Sequence, residues 1–180
     1  MINLDSGFND APALQGGFSP PTPGGHVFRV VKVSDKASKA GNDMVTLELD
    51  IAQGEFKGAF ERFPKRYFQL VNGDNLPYFK GMIDAFQKSN PAQAMARVIS
   101  NLQFDPHALV GLLVGGNLRE VEYLNSSNEV AVGLEVAYLV PVADVPTLKP
   151  MPLKKLRGGA AAASSGARAA RPPEEDDLPF

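Results

Sequence analysis

Hydrophobic and polar residues alternate cleanly over Met44–Ile51, with Val45, Leu47, Leu49 and Ile51 on one side and Met44, Thr46, Glu48 and Asp50 on the other. A period of two is that of a half-buried strand. His26–Val33 alternates in part, is dense in Val and Phe, and reads as a strand before it. The polar stretch Ser34–Asp43, with Lys36, Lys39, Gly41 and Asn42, predicts a long hairpin loop between the two. Gly54 marks a turn, and Phe56–Leu70 reads as a third extended region that Pro64 interrupts as a break, bulge or edge. The period then changes. Leu76, Phe79, Ile83 and Phe86 recur at helical spacing over Asn75–Ser89, with Asn75 as N-cap and Pro77 in the first turn. Asn90-Pro91 opens a second short helix running to about Asn101. Val110–Leu124 returns to strand chemistry, with Gly115-Gly116 as a bulge or sharp bend. Asn125-Ser126-Ser127-Asn128 is a tight polar turn, and Val130–Val140 is the final strand.

This order predicts a mainly β domain over residues 26–144: a five-stranded Greek-key barrel of the OB-fold type, with a helical segment between its third and fourth strands. Residues 1–25, rich in Gly, Pro, Asn and Asp, form an N-terminal arm that could pack Phe8, Leu14 or Phe18 on the body. After Pro141 the composition collapses to Pro, Ala, Gly, Ser and Arg. Residues 145–173 therefore read as a disordered basic linker and 174–180 as a separate acidic tip.

At 180 residues and 44% apolar, the chain suits one domain with tails. The net charge of −2 hides an asymmetry. Residues 149–171 carry six bases and no acid, residues 174–177 carry four acids, and residues 1–148 hold 12 bases against 16 acids. A mildly acidic body does not bind nucleic acid by bulk charge, so any such site is a local patch. The absence of Cys excludes disulfides and thiolate metal sites and suits a reducing cytoplasm. The apolar stretches fall well short of the ~20 residues that span a bilayer, and no signal-peptide pattern opens the chain. A soluble cytoplasmic protein that does not engage membranes is the expectation.

Single-strand binding needs cations for phosphates and flat aromatic faces for bases. In an OB barrel these lie on the second and third strands and on the flanking loops. The first loop supplies Lys36 and Lys39, flanked by Lys32. Residues 57–68 interleave four bases with four aromatics against one acid, Glu61. The nucleic-acid-binding candidates there are Lys57, Phe60, Arg62, Lys65, Arg66 and Tyr67, with Arg119 and Tyr123 as weaker additions. Strand aromatics are often core. Phe60 and Arg62 share a face on this reading, whereas Phe63 and Phe68 could equally be buried. Catalysis finds little support. His26 and His107 lack partners at ligand spacing, and no nucleophile-elbow, Walker or Rossmann motif occurs. Glu48, Asp50, Glu120, Glu122, Glu129 and Glu135 read as a solvated sheet face. No catalytic residue, metal or cofactor is expected.

The chain ends Glu174-Glu175-Asp176-Asp177-Leu178-Pro179-Phe180. Packed acids stay solvated, yet the last residue is a Phe, an arrangement suited to a basic pocket with an apolar floor. This tip resembles that of the bacterial and phage single-stranded-DNA-binding proteins. Ser38-Lys39-Ala40-Gly41-Asn42-Asp43-Met44 before the alternating strand, Phe56-Lys57-Gly58, and Tyr78-Phe79-Lys80-Gly81 resemble motifs of the phage-type members. The resemblance implies sequence-tolerant binding and protection of single strands in replication and recombination. It also implies recruitment of replication and recombination proteins through Asp176, Asp177, Leu178, Pro179 and Phe180, in the host bacterial cytoplasm if the protein is phage-encoded. The chain departs from the bacterial members in having no Trp, so that Tyr67, Phe60 or Tyr123 would have to serve as platforms. Its helical segment exceeds what a minimal barrel needs, so oligomeric form does not carry over, although a homo-oligomer is compatible. The alternative is an OB-type protein–protein adaptor that binds no nucleic acid. A metal-dependent nuclease is a third reading.

Overall fold

The computed structural model describes residues 20–38, 41, 43–100 and 103–156. In chain order the elements are β1 (Gly24–Ser34), β2 (Met44–Ile51), β3 (Lys65–Leu70), α1 (Leu76–Ser89), α2 (Ala92–Met95), β4 (Ile99–Ser100), β5 (Gln103–Phe104), β6 (Leu113–Leu124) and β7 (Val130–Val140). Five of the strands form one antiparallel sheet in the order β3-β2-β1-β6-β7, and β4 pairs with β5 in a separate two-stranded ribbon. The fold is thus mainly β, with one long helix between the third and fourth strands of the main sheet. The edges β3 and β7 approach each other but share no hydrogen-bonded ladder, so the sheet is not closed into a barrel.

The period-two pattern sets the inner face. Val45, Leu47, Leu49 and Ile51 of β2 are buried beside Phe28, Val30 and Val33 of β1, Val114 and Leu118 of β6, and Val136 of β7. From the helical stripe of α1, Met82, Ile83, Ala85 and Phe86 pack into the same core. Each of the Val, Leu, Ile, Phe and Met side chains, fully buried, stabilises the fold by roughly 1.5–3 kcal/mol relative to exposure. A register shift in β1 between Val30 and Lys32 leaves Val31 exposed.

Several local expectations change. Asn75 makes no capping bond; a turn of 3-10 helix, Gly73–Asn75, leads straight into α1. The second helix stops at Met95 instead of about Asn101, because the chain turns into the β4–β5 ribbon, where Ile99 pairs with Phe104. Gly115 and Gly116 are not the bulge, which falls one step on, between Asn117 and Leu118. They are glycines because of close approach: a Cβ on Gly115 would lie 2.5 Å from Val145 Cγ2, and one on Gly116 would lie 3.1 Å from the Phe28 ring.

Residues 145–156, expected as the start of the linker, are instead packed on the sheet. Val142–Thr147 form a 3-10 helix, and the segment to Leu156 lies along β6. There β1 has ended, with Gly24 opposite Leu118, so the edge of β6 beyond has backbone groups to satisfy. Lys154 does so: its N–H donates to the Glu120 carbonyl (3.0 Å), and its carbonyl accepts from the Glu122 N–H (2.9 Å). The wholly buried Asn117 ties down the same segment through the Lys149 carbonyl (2.9 Å). The arm through residue 19 and the linker and tip from residue 157 onward lie outside the described residues.

Asn90 joins α1 to the main sheet. Its Nδ2 donates to the carbonyls of Phe86 (2.9 Å) and Leu113 (2.7 Å), and its Oδ1 accepts from the Leu113 N–H (3.0 Å). Asn90→Ala is expected to lower unfolding stability by about 1–2 kcal/mol, the net worth of these bonds at a half-buried site. Urea titration checks it; an unchanged midpoint would mean that water replaces the amide without loss.

Candidate nucleic-acid interface

The basic–aromatic cluster is arranged by a coil of turns and not by a long strand. After β2 the chain reverses at Gly54 and Gly58, whose φ values of 84° and 77° lie in the left-handed region that favours glycine. Successive bonds follow, including Lys57 N–H to Gly54 O (3.2 Å), Glu61 N–H to Gly58 O (3.1 Å) and Phe63 N–H to Phe60 O (3.1 Å). One carboxylate pins the coil: Asp50 Oδ1 accepts from the N–H groups of both Ile51 and Phe60 at 2.8 Å. Strand geometry resumes only at Lys65, so the extended region expected over Phe56–Leu70 is corrected to its last six residues.

This rearranges the aromatics. Phe60 turns inward, is 5% exposed and belongs to the core, so it presents no face to a base. It does not share a strand face with Arg62. Phe63 instead projects outward and is 79% exposed, the most exposed of the large hydrophobic side chains among the described residues. Lys57 and Arg62 on the same coil are also exposed. The Lys65 ammonium lies 5.0 Å from the centre of the Phe60 ring, a cation–π distance. Burial lowers its pKa from the usual lysine value. Phe60, Phe63 and Lys65 form one wall of a cleft of about 380 Å³; Glu120, Val132 and Leu134 of the β6–β7 hairpin line the other, with Pro20 and Pro21 alongside. The cleft lies between the turn coil that leads into β3 and the β6–β7 hairpin.

Other candidates lie elsewhere. Register places Lys32, Glu48 and Arg66 in one row across β1, β2 and β3, on the face away from the core. Lys32 Nζ and Arg66 Nε lie 4.0 and 3.8 Å from the same Glu48 carboxylate oxygen, with both cations mostly exposed. Lys36 is exposed in the β1–β2 loop. Arg119 is committed: Nε and Nη2 both meet Glu135 Oε1 at 2.6 Å, and Lys154 Nζ approaches the same oxygen at 3.4 Å. Tyr123 is 43% exposed and lies over Gly133. Lys39 and the tip residues Asp176, Asp177, Leu178, Pro179 and Phe180 lie outside the described residues. The pattern of bases and aromatics found the cluster but did not show that the outward ring is Phe63. Pro64 directly after it, which cuts the strand pattern, was the available signal. Arg29, exposed on the same face as Lys32, was also missed.

Tyr67 pairs with Leu47 and so faces the core side of the sheet. Its hydroxyl donates to Gln69 Oε1 at 3.3 Å, and burial pushes its pKa up to about 12 from the ordinary 10.0. It is a packing residue more than a platform. In the unfolded chain this phenol ionises near 10, whereas in the fold it stays neutral until about 12. Its contribution is therefore complete below pH 10 and is lost as pH rises toward 12. Tyr67→Phe is expected to flatten the alkaline fall of melting temperature over that interval; a fall as steep as in the parent would assign it to other groups.

Among the described residues no three His, Asp or Glu side chains come together to hold a metal ion. His26 Nε2 donates to the Thr22 carbonyl at 2.7 Å, and its ring packs edge-on against Phe56, which makes it an anchor for the start of β1. His107 lies 3.7 Å from Asp35 across the surface. No described helix is long and apolar enough to cross a membrane. No protein-family model matches this chain, and a search of curated proteins finds no match for it.

Proposed function

We propose that this chain is a non-enzymatic single-stranded-DNA-binding protein built on an OB-type barrel, with the acidic tip recruiting replication and recombination proteins. The observation that carries the reading is Phe63. A phenyl ring 79% exposed that lines a cleft with Lys65, on the same coil as the exposed Lys57 and Arg62, has the chemistry of a stacking platform with phosphate partners. The fold supports it as well. The sheet order β3-β2-β1-β6-β7 with α1 between the third and fourth strands favours an OB-type arrangement, in which β3 and β7 would be the closing pair.

Fluorescein-labelled oligo-dT titrated at two salt concentrations tests the proposal. Saturable binding that weakens at higher salt is expected from phosphate contacts. No binding at low salt rejects it and favours the protein–protein adaptor. One observation speaks for that second reading: Glu48 and Glu135 engage Lys32, Arg66, Arg119 and Lys154, which leaves fewer free cations than the base count suggests.

A further inference from the structure

Glu120 stands apart among the carboxylates of the sheet. Glu48 engages Lys32 and Arg66, and Glu135 engages Arg119 and Lys154. Asp50 caps the turn coil, Glu122 accepts from the Leu156 N–H (3.1 Å), and Glu129 accepts from Asn125 (3.4 Å). Glu120 makes no such side-chain bond among the described residues, and it lines the cleft that Phe63 opens. Lys65 lines the same cleft from the other wall, yet the two opposite charges do not close to within 4 Å. A carboxylate in a groove for polyanions repels phosphate unless it meets a donor that the ligand brings.

We infer that this cleft is a pocket for a single nucleobase, and that Glu120 makes it select bases with an amino group on the pairing edge, cytosine ahead of thymine. The inference rests on the single-strand reading above. The volume of about 380 Å³ is at the small end of the range for small-molecule sites. Phe63 supplies a face for the base, and Val132 and Leu134 supply apolar walls. Glu120 pairs in register with Leu134, which puts its carboxylate on the face that borders the pocket. With the phosphate toward Lys65 and Arg62, the base edge faces Glu120. Cytosine presents its N4 amine there and donates to the carboxylate, as acidic side chains do at cytosine edges. Thymine presents carbonyl oxygens on both sides of its one N–H, and these repel the carboxylate. The charges that do not pair with each other thus bracket a nucleotide, cation toward phosphate and anion toward amine.

The test uses the full chain and fluorescein-labelled dC and dT homopolymers of equal length, read by anisotropy at pH 8. The parent protein is expected to bind dC at least about fivefold tighter than dT, the low end of discrimination by a side chain at a base edge. In Glu120→Gln the preference collapses, and dT affinity rises because the repulsion is gone. Equal affinity of the parent for both polymers overturns the pocket while leaving single-strand binding standing. So does a dC preference that survives Glu120→Gln. Failure to bind either polymer overturns the single-strand reading and this inference together.

Discussion

Replacing Phe28 by alanine is expected to cost about 3–5 kcal/mol of unfolding stability, the range for removing a fully buried aromatic ring. Phe28 is 0% exposed at the middle of β1, opposite Ile51 on β2 and Val114 on β6, so its ring bridges the two halves of the main sheet. A domain of this size has only about 5–15 kcal/mol in all, so the variant approaches the limit of folding. Urea unfolding should show a lower midpoint at unchanged slope. The second expectation is coupling. A Cβ on Gly116 would sit 3.1 Å from Phe28 Cε2, 3.1 Å from the Tyr138 carbonyl and 3.2 Å from Leu139 Cδ2. Gly116→Ala in the parent therefore pushes on the ring as well as the backbone. In the Phe28→Ala background one of the three contacts disappears, so the double variant should be more stable than the sum of the singles predicts, by about 1 kcal/mol. Strict additivity would show that Gly116 is required by the neighbouring strand alone.

The elements easiest to read were strands bounded by turn residues, Gly41 and Gly54 around one and Asn128 and Pro141 around the other. Met44–Ile51 and Val130–Val140 match the observed strands end to end. The stretch before Lys65 was misread because its structure depends on a contact that local pattern does not carry: Asp50 reaches ten residues forward to hold the Phe60 N–H. That bond, with the left-handed glycines, turns Phe60 in and Phe63 out. The segment 145–156 was misread for a related reason. Its composition is that of a linker, and what holds it is backbone pairing to an edge of β6 that exists only because β1 stops at Gly24. At the site, the cations were visible in the sequence, but their partners were not. Arg119 and Glu135 are sixteen residues apart and meet only because the β6–β7 hairpin puts them opposite each other.

Phe63→Ala is expected to weaken oligo-dT binding by roughly tenfold to a hundredfold, because one stacked base is worth about 1–3 kcal/mol. The ring is 79% exposed, so the same substitution should leave thermal stability nearly unchanged. That pairing of effects separates Phe63 from Phe60, whose removal should lower stability first because it is core. Phe63→Trp should restore affinity, since stacking needs an aromatic face and not a particular residue. Salt dependence separates stacking from charge. Loss of the ring removes no phosphate contact, so the slope of log affinity against log salt should hold; Arg62→Ala should make it shallower by about 0.7, the single-strand value per phosphate neutralised. Parent-like affinity for Phe63→Ala, with loss of binding in Lys32→Ala and Arg66→Ala, would move the interface to the open face of β1–β3. There the ligand would first have to displace Glu48 from both cations. The cleft demands no such exchange, because Lys65 and Glu120 are already apart, and that makes Phe63 the stronger choice for the first contact with a strand.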